Sequence, residues 1–164
     1  MSESVTAFTG NALYLDTMIF YALLRGLDAI AQSLFTRIQD DKIQAYTSVL
    51  TFDELAYRLL LALIREHYPG SPLNHLRNNE SQMIAQFYPR IAPQLIKLQY
   101  FPNLTLVDFT ASDIEAMNQI MLQYHLKPRD AIHLAAMQKC SCFSLVSHDS
   151  DFDRVSIVKR YSLA

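Results

Sequence analysis

Short apolar runs alternate along this chain with longer segments in which apolar residues recur at helical spacing. The first run, NALYLD at residues 11–16, leads directly into TMIFYALLRG, a helical pattern that stops at Gly26. Further strands are predicted over residues 44–49, 104–109 and 143–147, with an edge strand over residues 156–162. Strands separated by helices form parallel sheets, because right-handed crossovers pack the helices on both faces. The alternation predicts an α/β fold, a three-layer α/β/α sandwich with a central, mainly parallel sheet.

The segments between the strands carry helical periodicity and helix-boundary residues. Helices are predicted over residues 28–40, 50–68, 80–99, 112–124 and 128–140. Pro89 and Pro93 are expected to kink or divide the third of these helices. Ser112 and Glu115 form a predicted capping box for the fourth. The polar segment SPLNHLRNN, residues 71–79, is predicted to be a loop.

Length and composition indicate one domain spanning residues 1–164, because 164 residues with 51% hydrophobic side chains suffice for one core. The densest aliphatic run covers only residues 59–64, far short of the ~18 residues that a membrane span needs. The N-terminus, MSESVTAFTG, lacks the positive region of a secretory signal. We therefore expect a cytoplasmic protein without membrane contact, in which Cys140 and Cys142 are reduced thiols.

The charge of the chain is nearly balanced but unevenly distributed. A net charge of -2 argues against broad electrostatic attraction to nucleic acid. Residues 127–164 nevertheless carry six basic and four acidic side chains, against eight and twelve in residues 1–126. Lys127, Arg129 and Arg154 in this more basic part are candidates for phosphate contacts.

Four carboxylates follow predicted strands or open predicted helices. Asp16 ends the first strand and Asp149 follows the fourth, while Glu54 lies one turn into a helix and Asp130 lies in the first turn of another. Each alone is explained by helix capping. Ligands bind at the carboxyl ends of parallel strands, however, and gathered carboxylates repel unless a cation is present. Together the four positions predict a metal site.

The cluster DSDFD, residues 149–153, has the D-x-D-x-D start of a calcium-binding EF-hand loop. That loop requires Gly at its sixth position and Glu at its twelfth, where this chain has Arg154 and Arg160. A haloacid-dehalogenase motif is also excluded, because Met18 stands where its second Asp is needed. The acidic pair of a receiver domain is likewise missing from the first strand.

Four segments together resemble, in order and spacing, the motifs of PIN-domain nucleases, including toxins of the VapC type. They are LYLDTMIFYALL, TSVLTFDELAYRLL, LKPRDAIHLAAMQ and LVSHDSDFDRV, and the resemblance extends from about Ala12 to Tyr161. It implies a sheet flanked by helices and an acidic site that binds Mg²⁺ or Mn²⁺ and cuts single-stranded or structured RNA.

The resemblance also implies roles for individual residues. The implied catalytic residues are Asp16, Glu54, Asp130 and Asp149. The implied metal ligands are Asp16, Asp130, Asp149 and, as an accessory, Asp151. Thr17 and Ser147 adjoin two of these ligands and are expected to orient them by hydrogen bonds. Asp153 matches the pattern less well and is expected to cap the following turn. Asp53 should point about 100° away from Glu54 on a helix.

The expected function is that of a metal-dependent endoribonuclease, the toxin of a type II toxin–antitoxin pair. Its expected partners are an RNA substrate, a cognate antitoxin and further copies of the chain. Two alternatives stay open: a non-catalytic PIN-like RNA-binding or scaffold module, and an RNA-processing nuclease outside any toxin–antitoxin system. The segment over residues 66–102 is longer than in the shortest family members. It is expected either to form a dimer or antitoxin surface or to pack as an ordinary core helix.

A histidine ribonuclease is a further alternative. His133 follows Asp130 by one helical turn and His148 precedes Asp149, so the two histidines would serve as acid and base and leave a cyclic phosphate. We expect instead that His133 packs within its helix and that His148 belongs to a loop near the site. Hydrolysis by a bound metal ion should leave a 5′-phosphate and a 3′-hydroxyl.

Overall fold

The computed structural model describes residues 2–163, and all predicted strands and helices of that range are present with ends close to those expected. The strands are β1 (Glu3–Ser4), β2 (Ala12–Leu15), β3 (Gln44–Ser48), β4 (Leu104–Val107), β5 (Ser144–Val146) and β6 (Lys159–Ser162). The α-helices are α1 (Thr17–Leu24), α2 (Ala29–Gln39), α3 (Leu50–His67), α4 (Pro72–Asn78), α5 (Glu80–Gln99), α6 (Asp113–Tyr124) and α7 (Pro128–Lys139). Val5–Ala7 and Ser150–Arg154 form 3₁₀ turns.

The strands form one parallel sheet in the order β1-β6-β5-β2-β3-β4. From β2 the chain builds one side of the sheet through β3 and β4, and it then crosses to build the other side with β5 and β6. The order therefore reverses between β2 and β5, and a crevice opens beyond the carboxyl ends of such strands. The predicted three-layer α/β sandwich with a parallel sheet is confirmed.

Alternating side chains of β2 supply the core on both faces of the sheet. Leu13 and Leu15 belong to a buried cluster with α1, α2, α3 and α5, whereas Tyr14 belongs to a second cluster with α6 and α7. All three side chains are fully buried. Because strand side chains alternate, a slip of one residue would exchange the two faces. The packing thereby fixes the register of β2 and the position of Asp16 at its end.

The middle of the chain is more helical than predicted. Residues 71–79 are not a loop, because Ser71 caps α4 by accepting a hydrogen bond from the Asn74 N–H, and Pro72 occupies the first turn. The helix α5 is not divided, although Pro89 and Pro93 lie inside it. Its buried side chains are Met83, Phe87, Ile91, Leu95 and Leu98. Each contributes roughly 1.5–3 kcal/mol when buried, which together outweighs a cost of about 3 kcal/mol per proline.

Two further predictions are wrong. The strand β6 is not at an edge, since it pairs with β5 on one side and with the two-residue strand β1 on the other. The capping box at Ser112 does not form, because Ser112 is helical and makes no side-chain cap. Asp113 opens α6 instead, accepting hydrogen bonds from the Thr110 N–H at 2.7 Å and the Lys139 ammonium at 2.9 Å.

Among residues 2–163, no single helix combines the length and the apolar character of a membrane span. The pair α1 and α2 meets both criteria only when taken together, and it bends by 104° at its break.

Candidate active site

A cleft of about 680 Å³ opens at the carboxyl ends of β2, β3 and β5. Its acidic lining consists of Asp16, Glu54, Asp130 and Asp149, the four carboxylates singled out from the sequence. Its basic lining consists of Arg58, Lys127 and Arg129. The chain thus brings side chains that are far apart in sequence to one place, because β2 and β5 are neighbours and α3 and α7 begin beside them.

Asp16 is the N-cap of α1, and neutral donors hold both of its carboxylate oxygens. Oδ1 accepts a hydrogen bond from the Thr17 N–H at 2.7 Å, and Oδ2 accepts one from the buried Ser147 hydroxyl at 2.6 Å. The same Ser147 oxygen accepts a hydrogen bond from the Asp149 N–H at 3.0 Å. Ser147 therefore links the Asp16 carboxylate, just after β2, to the backbone that follows β5.

Glu54 lies within the second turn of α3 and points into the cleft. Its Oε2 accepts a hydrogen bond from the Thr17 hydroxyl at 2.9 Å, so Thr17 binds Asp16 through its backbone and Glu54 through its side chain. The side chain of Glu54 is 11% exposed, whereas that of Asp53 is 73% exposed and lies 3.8 Å from Arg129. Glu54 faces the cleft and Asp53 does not line it, as helical geometry predicted.

Asp130, in the first turn of α7, carries a buried carboxylate oxygen without a partner. Among residues 2–163, nothing donates a hydrogen bond to its Oδ2. Burial, reinforced by the charges of Asp149 and Asp16, raises the pKa of Asp130 to about 6. The charges of Lys127 and His133 oppose this shift. A buried carboxylate oxygen of this kind requires a proton or a cation for its compensation.

The three aspartates of residues 149–153 point in different directions. Asp149 caps the 3₁₀ turn by accepting a hydrogen bond from the Asp151 N–H at 2.8 Å. Oxygens of Asp130, Asp149 and Asp151 all lie within 4.8 Å of one another, close enough to hold one metal ion. Asp153 instead forms two hydrogen bonds with the Arg160 guanidinium, at 2.7 and 2.8 Å. Asp153 thus belongs to a surface ion pair.

The basic side chains around the cleft have different partners. Lys127 places its Nζ 2.9 Å from Asp151 Oδ2 and 3.9 Å from Asp149 Oδ2. Arg129 lies 3.8 Å from both Asp53 and Glu54. Arg154, a predicted phosphate contact, does not line the cleft; it pairs with Asp151 and donates to the backbone carbonyl of residue 125 at 2.8 Å. Lys127 and Arg129 are the predicted phosphate contacts that face the cleft.

Arg58 is a cleft residue that the sequence interpretation missed. It lies on α3 four residues after Glu54 and is exposed in the same cleft. The signal was available, because residues four apart share one face of a helix. No ion pair or hydrogen bond engages its side chain within residues 2–163, so its guanidinium is free to bind a ligand.

The two histidines near the motifs differ in burial. His133 is buried beneath the acidic side chains, with Nδ1 at 2.8 Å from the Tyr14 hydroxyl. Its Nε2 lies 3.8 Å from Asp16 Oδ1 and 3.9 Å from Glu54 Oε1, which favours a proton on that nitrogen. Burial raises the pKa of Tyr14 well above its usual value, so its hydroxyl stays protonated and donates to Nδ1. His148 is exposed at the cleft.

Comparisons with known proteins identify the family and agree with the fold. A family model described as the PIN domain matches residues 13–158. The fold is similar to the VapBC2 structure from Rickettsia felis bound to a promoter DNA fragment, with a TM-score of 0.58, 13% identity, and coverage of 92% of this chain and 98% of that one. It is similar to Mycobacterium tuberculosis VapC20, described as a sarcin-ricin loop cleaving toxin, with a TM-score of 0.55, 19% identity, and coverage of 90% and 97%. The fold is also similar to a toxin-antitoxin complex from Klebsiella pneumoniae, with a TM-score of 0.52, 19% identity, and coverage of 90% of this chain and 95% of that one. No curated protein sequence matches the chain.

Proposed function

Because the chain belongs to the PIN domain family, a family of nucleases, we propose that it is a metal-dependent endoribonuclease that hydrolyses RNA phosphodiester bonds. The observation that carries the proposal is the buried, unpartnered Oδ2 of Asp130 in a carboxylate cluster at the sheet edge. Burying such an oxygen without a partner lowers the free energy of unfolding, and a bound divalent cation would compensate for this loss.

The donor set of the cleft fits Mg²⁺ or Mn²⁺. These ions prefer carboxylate oxygens and water, and the cleft offers carboxylates from four different elements. We propose that Asp16, Asp130 and Asp149 hold the ion. Ser147 keeps Asp16 and Asp149 in position through its two hydrogen bonds. Asp151 was predicted as the fourth ligand, but its two oxygens already pair with the cations of Lys127 and Arg154.

A bound ion of this kind supplies an activated water and stabilises the charge on the attacked and leaving oxygens. Glu54 faces the cleft beside Arg129 and is placed to accept a proton from the attacking water. Arg58, Lys127 and Arg129 bind the phosphate backbone. Water adds to phosphorus, the bond to the 3′ oxygen breaks, and that oxygen leaves with a proton. The products are a 5′-phosphate and a 3′-hydroxyl.

The histidine mechanism is the second candidate, because His133 and His148 both line the cleft. It is less well supported, since His133 is buried and one of its nitrogens is bound by Tyr14. The two mechanisms differ in their products, because a histidine mechanism leaves a 2′,3′-cyclic phosphate.

The test is incubation of the full chain with a mixed RNA pool in Mg²⁺, Mn²⁺ or chelator, followed by mapping of the RNA ends. We expect cleavage only with metal, and we expect Asp16→Asn, Asp130→Asn and Asp149→Asn each to abolish it, because neutral amides bind divalent ions poorly. Asp40→Asn, a change at an exposed aspartate beside Lys42, should leave cleavage unchanged. Full activity in chelator would exclude the metal mechanism. A folded chain that binds no metal and cuts no RNA would favour the non-catalytic module.

We also propose that the chain is the toxin of a type II toxin–antitoxin pair, with an antitoxin and a second copy of the chain as partners. The similarity to toxin–antitoxin complexes supports an antitoxin partner. The exposed apolar side chains of Tyr57, Ile84 and Tyr88 along α3 and α5 supply a surface for such contacts. Expression alone should arrest growth, and Asp16→Asn should relieve the arrest. Harmless expression of an active ribonuclease would favour an RNA-processing enzyme.

A further inference from the structure

The carboxylate cluster is divided into two parts with different charge compensation. Asp151 has a cation on each oxygen, Lys127 on Oδ2 and Arg154 on Oδ1. Asp16 has only neutral donors, and Asp130 Oδ2 has none. Positive charge is therefore already present on the Asp151 side and is lacking on the side of Asp16 and Asp130.

Lys127 is the residue that joins these two parts. It is the N-cap of α7, directly before Pro128, and its extended backbone directs the chain into the helix that carries Asp130. Its Nζ lies 2.9 Å from Asp151 Oδ2 and 3.9 Å from Asp149 Oδ2. The ammonium of a lysine in contact with carboxylates is charged at neutral pH, so Lys127 brings one positive charge to this side of the cluster.

We propose that the Lys127 ammonium occupies the place of a second metal ion, so that the cleft binds one divalent ion, held by Asp16, Asp130 and Asp149. This inference rests on the proposed metal-dependent function. Asp151 then anchors Lys127 through its carboxylate and leaves the coordination of the ion to the other three aspartates.

The spacing of the groups explains why the Lys127 ammonium excludes a second metal ion. In two-metal sites the ions lie about 3.5–4 Å apart and share carboxylate ligands. A second ion between Asp149 and Asp151 would lie in the space of the Lys127 Nζ and would break its contacts with both carboxylates. An ammonium group offers three donors and one point charge, which suits it to a phosphate oxygen as well as to Asp151.

The test counts Mn²⁺ ions bound to the full chain by calorimetry and by electron paramagnetic resonance. The wild type should bind one ion. Lys127→Met should bind two, with the spin coupling of a neighbouring Mn²⁺ pair, and Lys127→Arg should keep the charge and bind one. RNA cleavage by Lys127→Met should be weaker than that of the wild type at low Mn²⁺ and should recover at higher Mn²⁺, because the second ion restores the missing charge.

Two variants serve as matched controls. Arg129→Met removes one positive charge from the same cleft without touching Asp149 or Asp151. Lys139→Met removes an ammonium from the same helix, where it pairs with Asp113 outside the cleft. Both should bind one ion.

The outcomes separate this inference from the proposed function. A wild type that binds no Mn²⁺ overturns the metal-dependent function itself. A wild type that binds two ions, or a Lys127→Met variant that still binds one, overturns only the role of Lys127. Two ions in Arg129→Met as well would mean that any lost positive charge has this effect, and would also overturn that role.

Discussion

At the scale of single residues, Asp130 makes the metal-free fold sensitive to pH. Raising its pKa from 3.8 to about 6 corresponds to at most about 3 kcal/mol of lost folding free energy at neutral pH, and to less than that because solvent screens the half-buried carboxyl. The charge of Asp130 lowers stability because the folded state binds the proton more tightly than the unfolded chain does. Below pH 4 the carboxyl is neutral in both states and costs nothing. The cost grows as the pH rises from about 4 to about 6, and it is complete above that.

The prediction is that Asp130→Asn stabilises the metal-free protein at pH 7, by about 1–3 kcal/mol, and has little effect at pH 4. Urea denaturation in chelator at pH 4, 5, 6 and 7 measures it. Asp40→Asn, at an exposed ion pair, should show no such pH-dependent gain. Equal stability of Asp130→Asn and wild type across the range would contradict an uncompensated charge at Asp130.

At the scale of elements, the ends of β2 and β5 are joined through one hydroxyl. Ser147 is fully buried just after β5, donates to Asp16 at 2.6 Å and accepts from the Asp149 N–H at 3.0 Å. The parallel pairing of β2 with β5 brings these residues together although Asp16 and Ser147 are 131 positions apart. The geometry of the cleft thus depends on the contact between two strands as well as on the carboxylates themselves.

Ser147→Ala should therefore weaken Mn²⁺ binding by about 10–100-fold, because both ligands lose their orienting partner. It should also destabilise the fold by about 1–2 kcal/mol, because the partly buried Asp149 N–H loses its acceptor and Asp16 loses a donor. Calorimetric titration and urea denaturation measure the two effects. Ser144→Ala is the matched control, since Ser144 lies on β5 and its hydroxyl makes no hydrogen bond within residues 2–163. The same loss of affinity in both variants would argue against the role of Ser147.

At the scale of the whole molecule, a cation that binds only the folded chain should stabilise it by linkage. At a free concentration about 100 times its dissociation constant, the gain is about 2.7 kcal/mol. For a domain of this size each kcal/mol raises Tm by roughly 2–4 °C, so Mg²⁺ or Mn²⁺ should raise it by about 5–11 °C. Asp149→Asn should raise Tm in chelator, by removing one repelling charge, and should lose most of the gain from metal.

Thermal melts of wild type, Asp149→Asn and Asp40→Asn, each with chelator and with excess metal, measure this prediction. Asp40→Asn should keep the metal response of the wild type. Equal metal responses in all three proteins would mean that Asp149 does not hold the ion.

The middle segment, residues 66–102, packs one helix face into the core and leaves apolar side chains exposed on another. One face of α5 packs into the core through residues such as Phe87 and Ile91. Ile84 and Tyr88 on the same helix are exposed beside Tyr57 of α3. Hydrophobic periodicity alone predicted the buried face, whereas the exposed apolar residues became evident only when α3 and α5 were seen side by side.

The sequence by itself determined the alternation of strands and helices, the parallel sheet and the position of the four carboxylates at strand ends and helix starts. These features depend on residues close together in the chain, where periodicity, caps and prolines act locally. Only the tertiary structure decided that β6 lies inside the sheet, that Tyr14 binds His133 under the cleft and that Lys127 neutralises Asp151. Strand order, burial and ion pairs join residues from distant parts of the chain, and their energies depend on distances that no local pattern specifies.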